Sequence, residues 1–359
     1  SGSLCLIASD TNLSMAQSTQ EVSVSALPPD QVAAVGKFYS VCPPTYSSSP
    51  PGRFLRGKHG ITHFHLQEPE GGSPSARSRI AVLSHGLGTD MNVFHGPVLE
   101  TLCKSGFRVL RYDFLGHGWS YSNETFLRYD KEKFDSQLEE LLDHVLAPGE
   151  PVDLWVGHST GCLVGVLNAM SKAHPIRALA LVSPAFWANK PILARIADKI
   201  PNFMHGLVKN IPPLRKLTQD AYLENNDVAF GKQGGAYMFP EKYNVAKENI
   251  KEKFKVHPQA NAAIAGVASF FIREDLIAEF RTPFKELVKM EGSAAPTVIL
   301  LWGKYDVVVP FKHAQEVLEW GTPGRVSLVA LEAGHESLFE IPEVVAKELA
   351  KCAPLPSRM

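Results

Sequence analysis

Three residues in this 359-residue chain have the types and the surroundings for nucleophilic catalysis: Ser159, Asp306 and His335. Ser159 lies in Gly157-His158-Ser159-Thr160-Gly161, a G-x-S-x-G pentapeptide. Before it runs Asp153-Leu154-Trp155-Val156, with strand character; after it Leu163, Val166, Leu167 and Met170 recur at helical spacing. A serine at so sharp a strand-to-helix turn keeps its hydroxyl accessible, and the flanking glycines let the backbone bend and the helix approach the strand. A serine hydroxyl is too weak an acid to attack a carbonyl at neutral pH unaided. It needs a histidine base, held in turn by a carboxylate. Asp306 follows the apolar run 298–302 in a G-x-x-D-x-x-V-P context, and His335 follows the run 326–331 in Glu332-Ala333-Gly334-His335-Glu336. Two other assignments compete. Asp306 also suits a helix N-cap before Phe311, and Glu332 is a second carboxylate near His335. The presence of both Ser159 and His335 favours Asp306 as the acid, and Glu332 stands on the same strand end as His335, three residues away.

The elements around these residues alternate. Residues 54–66 suit a two-stranded hairpin. Apolar runs at 80–83, 107–110, 154–156 and 177–182 are interleaved with helical stretches near 98–104, 131–145 and after Ser159. Nearly continuous apolar strands separated by helices indicate a mostly parallel sheet with helices on both faces. The alternation stops at Pro184 and resumes at Pro296, with a helix near 314–320, the run 326–331 and a last helix near 344–351. The expected organisation is therefore an α/β core formed by residues 29–183 and 296–353, with residues 184–295 inserted as a helical cap. Residues 1–28, polar and rich in Ser and Thr, are expected to be a disordered lead-in, followed by a short helix from Pro28 through Val35 and Phe38.

Bulk properties exclude several classes. Hydrophobic residues at 45% and charged residues at 20% suit an ordinary soluble globular protein, and 36 basic against 37 acidic residues give nothing for nucleic acid to bind. No apolar run reaches the roughly 18 residues of a membrane span. The five cysteines are scattered and odd in number, which suits free thiols in a reducing, cytoplasmic compartment. Ser1-Gly2-Ser3 reads as an expression-tag remnant and Met15 as a candidate start. Ser357-Arg358-Met359 resembles a variant of the S-K-L peroxisomal address, which makes a peroxisome-type organelle the alternative location.

The order Ser159, Asp306, His335, together with Asp113-Phe114-Leu115-Gly116-His117-Gly118-Trp119-Ser120 in the form D-x-x-G-x-G-x-S, resembles the α/β-hydrolase superfamily over roughly residues 53–350. The resemblance implies the α/β-hydrolase fold, an esterase- or lipase-like serine hydrolase, and no metal or organic cofactor. It places one oxyanion-hole donor at the Thr160 amide and another in His85-Gly86-Leu87-Gly88, at the Leu87 amide, with the His85 ring supporting that loop. No acid follows the strand after the nucleophile, where Ser183-Pro184 stands and some relatives keep one; this strengthens Asp306. Rival activities on the same parts are a cofactor-free perhydrolase or haloperoxidase, a carbon–carbon bond hydrolase, and a slow-turnover receptor for a small hydrophobe.

The cap range is rich in aromatics, among them Phe186, Trp187, Phe203, Phe230, Tyr237, Phe270 and Phe271, and suits a small hydrophobic ester-like substrate. Basic residues interleaved with apolar ones between Lys190 and Lys216 suit a solvated face, with docking on a membrane surface as the alternative. His59, His63 and His65 have the spacing of a polar edge strand rather than a metal site, Cys162 that of a buried helix residue, and His158 that of a packing residue under the turn.

Overall fold

The computed structural model describes residues 19–23, 52–70, 79–122, 131–171, 174–186, 274–292 and 295–352, with a few single positions between 211 and 251. Within these, the expected strands and helices form. The strands are β1 (Gln20–Val22), β2 (Arg53–Gly57), β3 (Gly60–Gln67), β4 (Arg79–Ser84), β5 (Phe107–Tyr112), β6 (Tyr121–Ser122), β7 (Leu154–His158), β8 (Ala178–Val182), β9 (Thr297–Gly303) and β10 (Val326–Leu331). The helices are α1 (Pro97–Lys104), α2 (Lys131–Val145), α3 (Thr160–Ser171), α4 (Glu274–Lys289), α5 (Lys312–Trp320), α6 (Ser337–Glu340) and α7 (Pro342–Lys351), with a 3-10 turn at Met91–Phe94.

All ten strands join one sheet in the order β1-β2-β3-β5-β4-β7-β8-β9-β10, with β6 paired to β3. Along the order β5-β4-β7-β8-β9-β10 every pairing is parallel, whereas β1, β2, β3 and β6 pair antiparallel. The residues of the parallel strands alternate between two cores. Val82, Leu110, Trp155, Leu181 and Leu300 face one side and meet α2, α3 and α4. Leu83, Val109, Val156, Val182 and Leu301 face the other and meet α1 and α7. Burial of both faces explains why these strands read as unbroken apolar runs. Cys103, Cys162 and Cys352 are free thiols, and no helix among the described residues is long and apolar enough to cross a membrane.

Two findings differ from the sequence expectations. Gln20–Val22, inside the stretch expected to be disordered, pairs antiparallel with β2, and Glu21 forms an ion pair with Arg53 at 2.6 Å. A polar three-residue strand carries no apolar signal, so backbone pairing to β2 is what orders it. In the range expected to be cap, α4 is bound to the core: Phe280, Phe284, Leu287 and Val288 are buried in the same cluster as α3. Phe186, counted among the cap aromatics, stacks on Phe284 at 4.2 Å and an interplanar angle of 5°. Trp187 and most of residues 187–273 lie outside the described residues, as do the expected helix at 28–38 and the C-terminal tripeptide.

Candidate active site

Ser159 is the single residue between the end of β7 and the start of α3, and its φ is 51°. A non-glycine residue in this left-handed region is strained by roughly 1–3 kcal/mol, so the surroundings must hold it. The Ser159 amide donates to the Val182 carbonyl at 2.9 Å, and its own carbonyl accepts from Cys162 at 3.1 Å and Ala185 at 3.3 Å. The flanking glycines are required sterically. A Cβ on Gly157 would lie 2.6 Å from the Cys162 nitrogen, and one on Gly161 would overlap the Ser84 carbonyl oxygen. Helix and strand therefore meet at backbone contact, with Ser159 at the C-terminal edge of the sheet.

Asp306 and His335 come to the same edge from β9 and β10. His335 Nδ1 and Asp306 Oδ2 are 2.9 Å apart, with both residues buried. The second oxygen, Oδ1, accepts from the Val308 and Val309 amides at 3.0 and 2.8 Å, so Asp306 caps its own loop while holding the histidine. Trp302 Nε1 donates to the Val309 carbonyl at 2.9 Å and fixes the far side of this loop. Burial alone would lower the His335 pKa. The Asp306 charge and hydrogen bond, with Glu336 and Glu340 nearby, nonetheless carry it above the ordinary value of 6.5. Glu332, the competing acid, is bound instead to Lys304 and to the Tyr305 hydroxyl at the surface.

His158 joins the two loops. Its Nε2–H donates to the His335 carbonyl at 3.0 Å, and the two rings are 5.2 Å apart. A residue expected only to pack under the turn thus ties Ser159's neighbour to His335.

The loop after β4 lies directly against Ser159: a Cβ on Gly86 would be 3.1 Å from the Ser159 Cβ. Two histidines brace that loop. The Phe114 amide donates to His85 Nε2 at 2.9 Å, which leaves the proton on Nδ1, and Nδ1 donates to the Gly86 carbonyl at 2.7 Å. The Gly88 amide donates to His117 Nε2 at 2.9 Å, and the Thr89 amide to the Gly86 carbonyl at 3.3 Å. Two amides of this loop are therefore occupied. Leu87 sits between Gly86 and Gly88 and is buried. Thr160 opens α3, and its amide is one of the four that a helix start leaves without an intrahelical acceptor.

The D-x-x-G-x-G-x-S loop supports this construction from below. Asp113 accepts from the Met91 and Trp119 amides, both at 2.9 Å, and from His63 Nδ1 at 2.7 Å. Burial opposes ionisation of Asp113, but His63 and these amides hold its carboxyl well below the usual range. Ser120 closes the loop on the Asp113 carbonyl. The reading of the β3 histidines as a polar edge strand is corrected here. β3 is flanked by β2 and β5, and His63 is buried against Asp113 because β1 and β2 extend the sheet past it. Among the described residues, the cluster with metal-ligand spacing is His158, His335 and Glu336; the two rings are already engaged through the His335 carbonyl and Asp306.

Sequence reasoning did not anticipate the roles of His117, His158 and Glu340. His117 lay within a recognised motif, but only the fold shows that its ring reaches Gly88.

Known proteins share this fold. The sequence profile described as the alpha/beta hydrolase family matches residues 81–348. A monoglyceride lipase homolog from Monkeypox virus is 28% identical over 127 residues, 34% of this chain and 44% of that protein; the match thus spans less than half of the relative's length. Among solved structures, the enol-lactonase from Burkholderia xenovorans has a TM-score of 0.59 at 22% identity, covering 81% of this chain and 96% of its own. A thermophilic esterase from Thermogutta terrifontis has a TM-score of 0.57 at 17% identity, covering 85% and 94%. These two likenesses concern the fold. The profile match extends over most of the chain, and on that ground the chain belongs to the alpha/beta hydrolase family.

Proposed function

We propose that this chain is a serine hydrolase that cleaves a hydrophobic carboxylic ester through an acyl-enzyme. Ser159 Oγ attacks the ester carbonyl. His335 takes the serine proton as general base and returns it to the leaving alcohol, while Asp306 holds the ring and stabilises its charged form. The Leu87 and Thr160 amides receive the negative charge that develops on the carbonyl oxygen; such a donor is worth a factor of about 10²–10³. Water attacks the acyl-enzyme by the same route in reverse. The observation that carries this reading is the buried His335–Asp306 hydrogen bond of 2.9 Å, tied through His158 to a serine with φ of 51°. The preference for an apolar acyl group rests on the aromatic content of residues 184–295 and on the viral relative, described as a monoglyceride lipase homolog.

Fluorophosphonate labelling and hydrolysis of p-nitrophenyl esters of graded chain length test the proposal. Wild-type protein should label at Ser159 and turn over the esters. Ser159→Ala should abolish labelling and lower kcat by about 10⁶. A wild-type protein inert in both assays would sink this reading, and a Ser159→Ala variant with most of its activity would remove Ser159 as the nucleophile.

A further inference from the structure

Directly behind His335 lies a buried carboxylate that the chemistry above does not use. Glu340, the last residue of α6, directs both side-chain oxygens at the Gly334 amide, at 3.0 and 3.1 Å. Together with the bond from His158 to the His335 carbonyl, this grips the histidine backbone on both sides: at the amide of the preceding residue and at its own carbonyl. Glu340 lies five positions after His335 in sequence, and the turn is closed by the Glu340 amide donating to the Glu336 carbonyl at 2.9 Å.

We infer that Glu340 is a positioning residue for His335, fixing its backbone through Gly334 and supplying a negative charge that makes the imidazole more basic. This rests on the reading of His335 as the base. The groups that face Glu340 are His335 and Glu336 from the loop after β10, and Asp306 from the loop after β9. His158, at the end of β7, approaches the same cluster with Nε2 3.9 Å from Glu336. Burial, with the like charges of Glu336 and Asp306, pushes the Glu340 carboxyl up to about 7, against a bond from Gly334 that lowers it. As pH falls through that value, Glu340 gains a proton. One oxygen then becomes a donor facing an amide that is itself a donor, and the charge that supports His335 disappears. The acidic limb of the activity profile should thus record two linked protonations rather than one.

The test compares Glu340→Ala and Glu340→Gln in the full chain, with ester turnover as one readout and NMR titration of the His335 imidazole as the other. Glu340→Ala should lower kcat by about tenfold or more, because small displacements of a catalytic group are costly, while KM stays within about twofold. Glu340→Gln retains an acceptor for Gly334 and should recover most of that loss. In both variants the acidic limb of kcat/KM and the His335 titration should move to lower pH, a response that a purely structural role would not produce. An unmoved titration in Glu340→Gln overturns the inference, as does Glu340→Ala with wild-type kcat. Should Glu340→Ala not fold, the Gln variant decides alone. If no ester is turned over by the wild type but the His335 titration still shifts, the positioning role of Glu340 stands and the hydrolase reading falls.

Discussion

At the scale of single residues, two carboxylates near His335 differ in their surroundings. Asp306 and Glu332 stand at comparable places after the last two strands. Asp306 is buried on His335, whereas Glu332 is drawn to Lys304 and Tyr305 at the surface. Asp306→Asn should therefore lower kcat by about 10⁴, while Glu332→Gln should leave it within about twofold; comparable losses in both, measured by ester turnover, would reopen the assignment. The pH profile carries a sign that can be checked. A general base must be unprotonated, and the His335 pKa is raised, so activity should be lost as pH falls through a midpoint above the ordinary 6.5. A midpoint at or below that value would contradict the Asp306 charge as the controlling influence.

At the scale of elements, close approach and packing set the geometry. Gly161 lets the start of α3 lie on the Ser84 carbonyl, and a methyl group there has only backbone to displace. Gly161→Ala should reduce stability by about 1–3 kcal/mol and shift the loop carrying Leu87, lowering kcat as well. Urea denaturation and turnover measured on the same preparation would show whether both fall together. α4 makes a parallel case. Phe284 is fully buried and stacks on Phe186, so Phe284→Ala should destabilise by about 3–5 kcal/mol. An exposed, loosely attached helix would instead lose less than about 1 kcal/mol.

The whole molecule adds a pH dependence of stability from His65 on β3 and Glu340 on α6. Burial, with the nearby charges of His63 and Arg111, lowers His65 from 6.5 to about 3. Between those values the unfolded chain binds a proton that the folded chain refuses. The stability associated with neutral His65 is thus present above 6.5 and lost as pH falls toward 3. Glu340 acts in the other direction. Its pKa is raised from 4.5 to about 7, so the folded chain holds the extra proton and that stability is lost as pH rises across this window. Urea midpoints measured from pH 3.5 to 8 should fall on the acid side, and His65→Leu should flatten that slope. An unchanged slope in the variant would show that His65 is not its source.

The sequence by itself determined the alternation of strands and helices from Ile80 onward, and the placing of Ser159, Asp306 and His335 at strand ends. The reason is that fully buried parallel strands and strand-to-helix turns leave local signals: continuous apolar runs, obligatory glycines, short motifs. It did not show that Gln20–Val22 would extend the sheet, that α4 would join the core, or that His63 would be enclosed with Asp113. Nor did it show that His117, His158 and Glu340 would brace the loops around Ser159 and His335. Those outcomes depend on partners distant in the chain, or on a turn that brings a side chain back on its own loop. A histidine or glutamate in sequence looks the same whether water or a buried amide completes its hydrogen bonds. Only the folded chain decides which, because only there does desolvation make an unpaired polar group costly and a paired one specific.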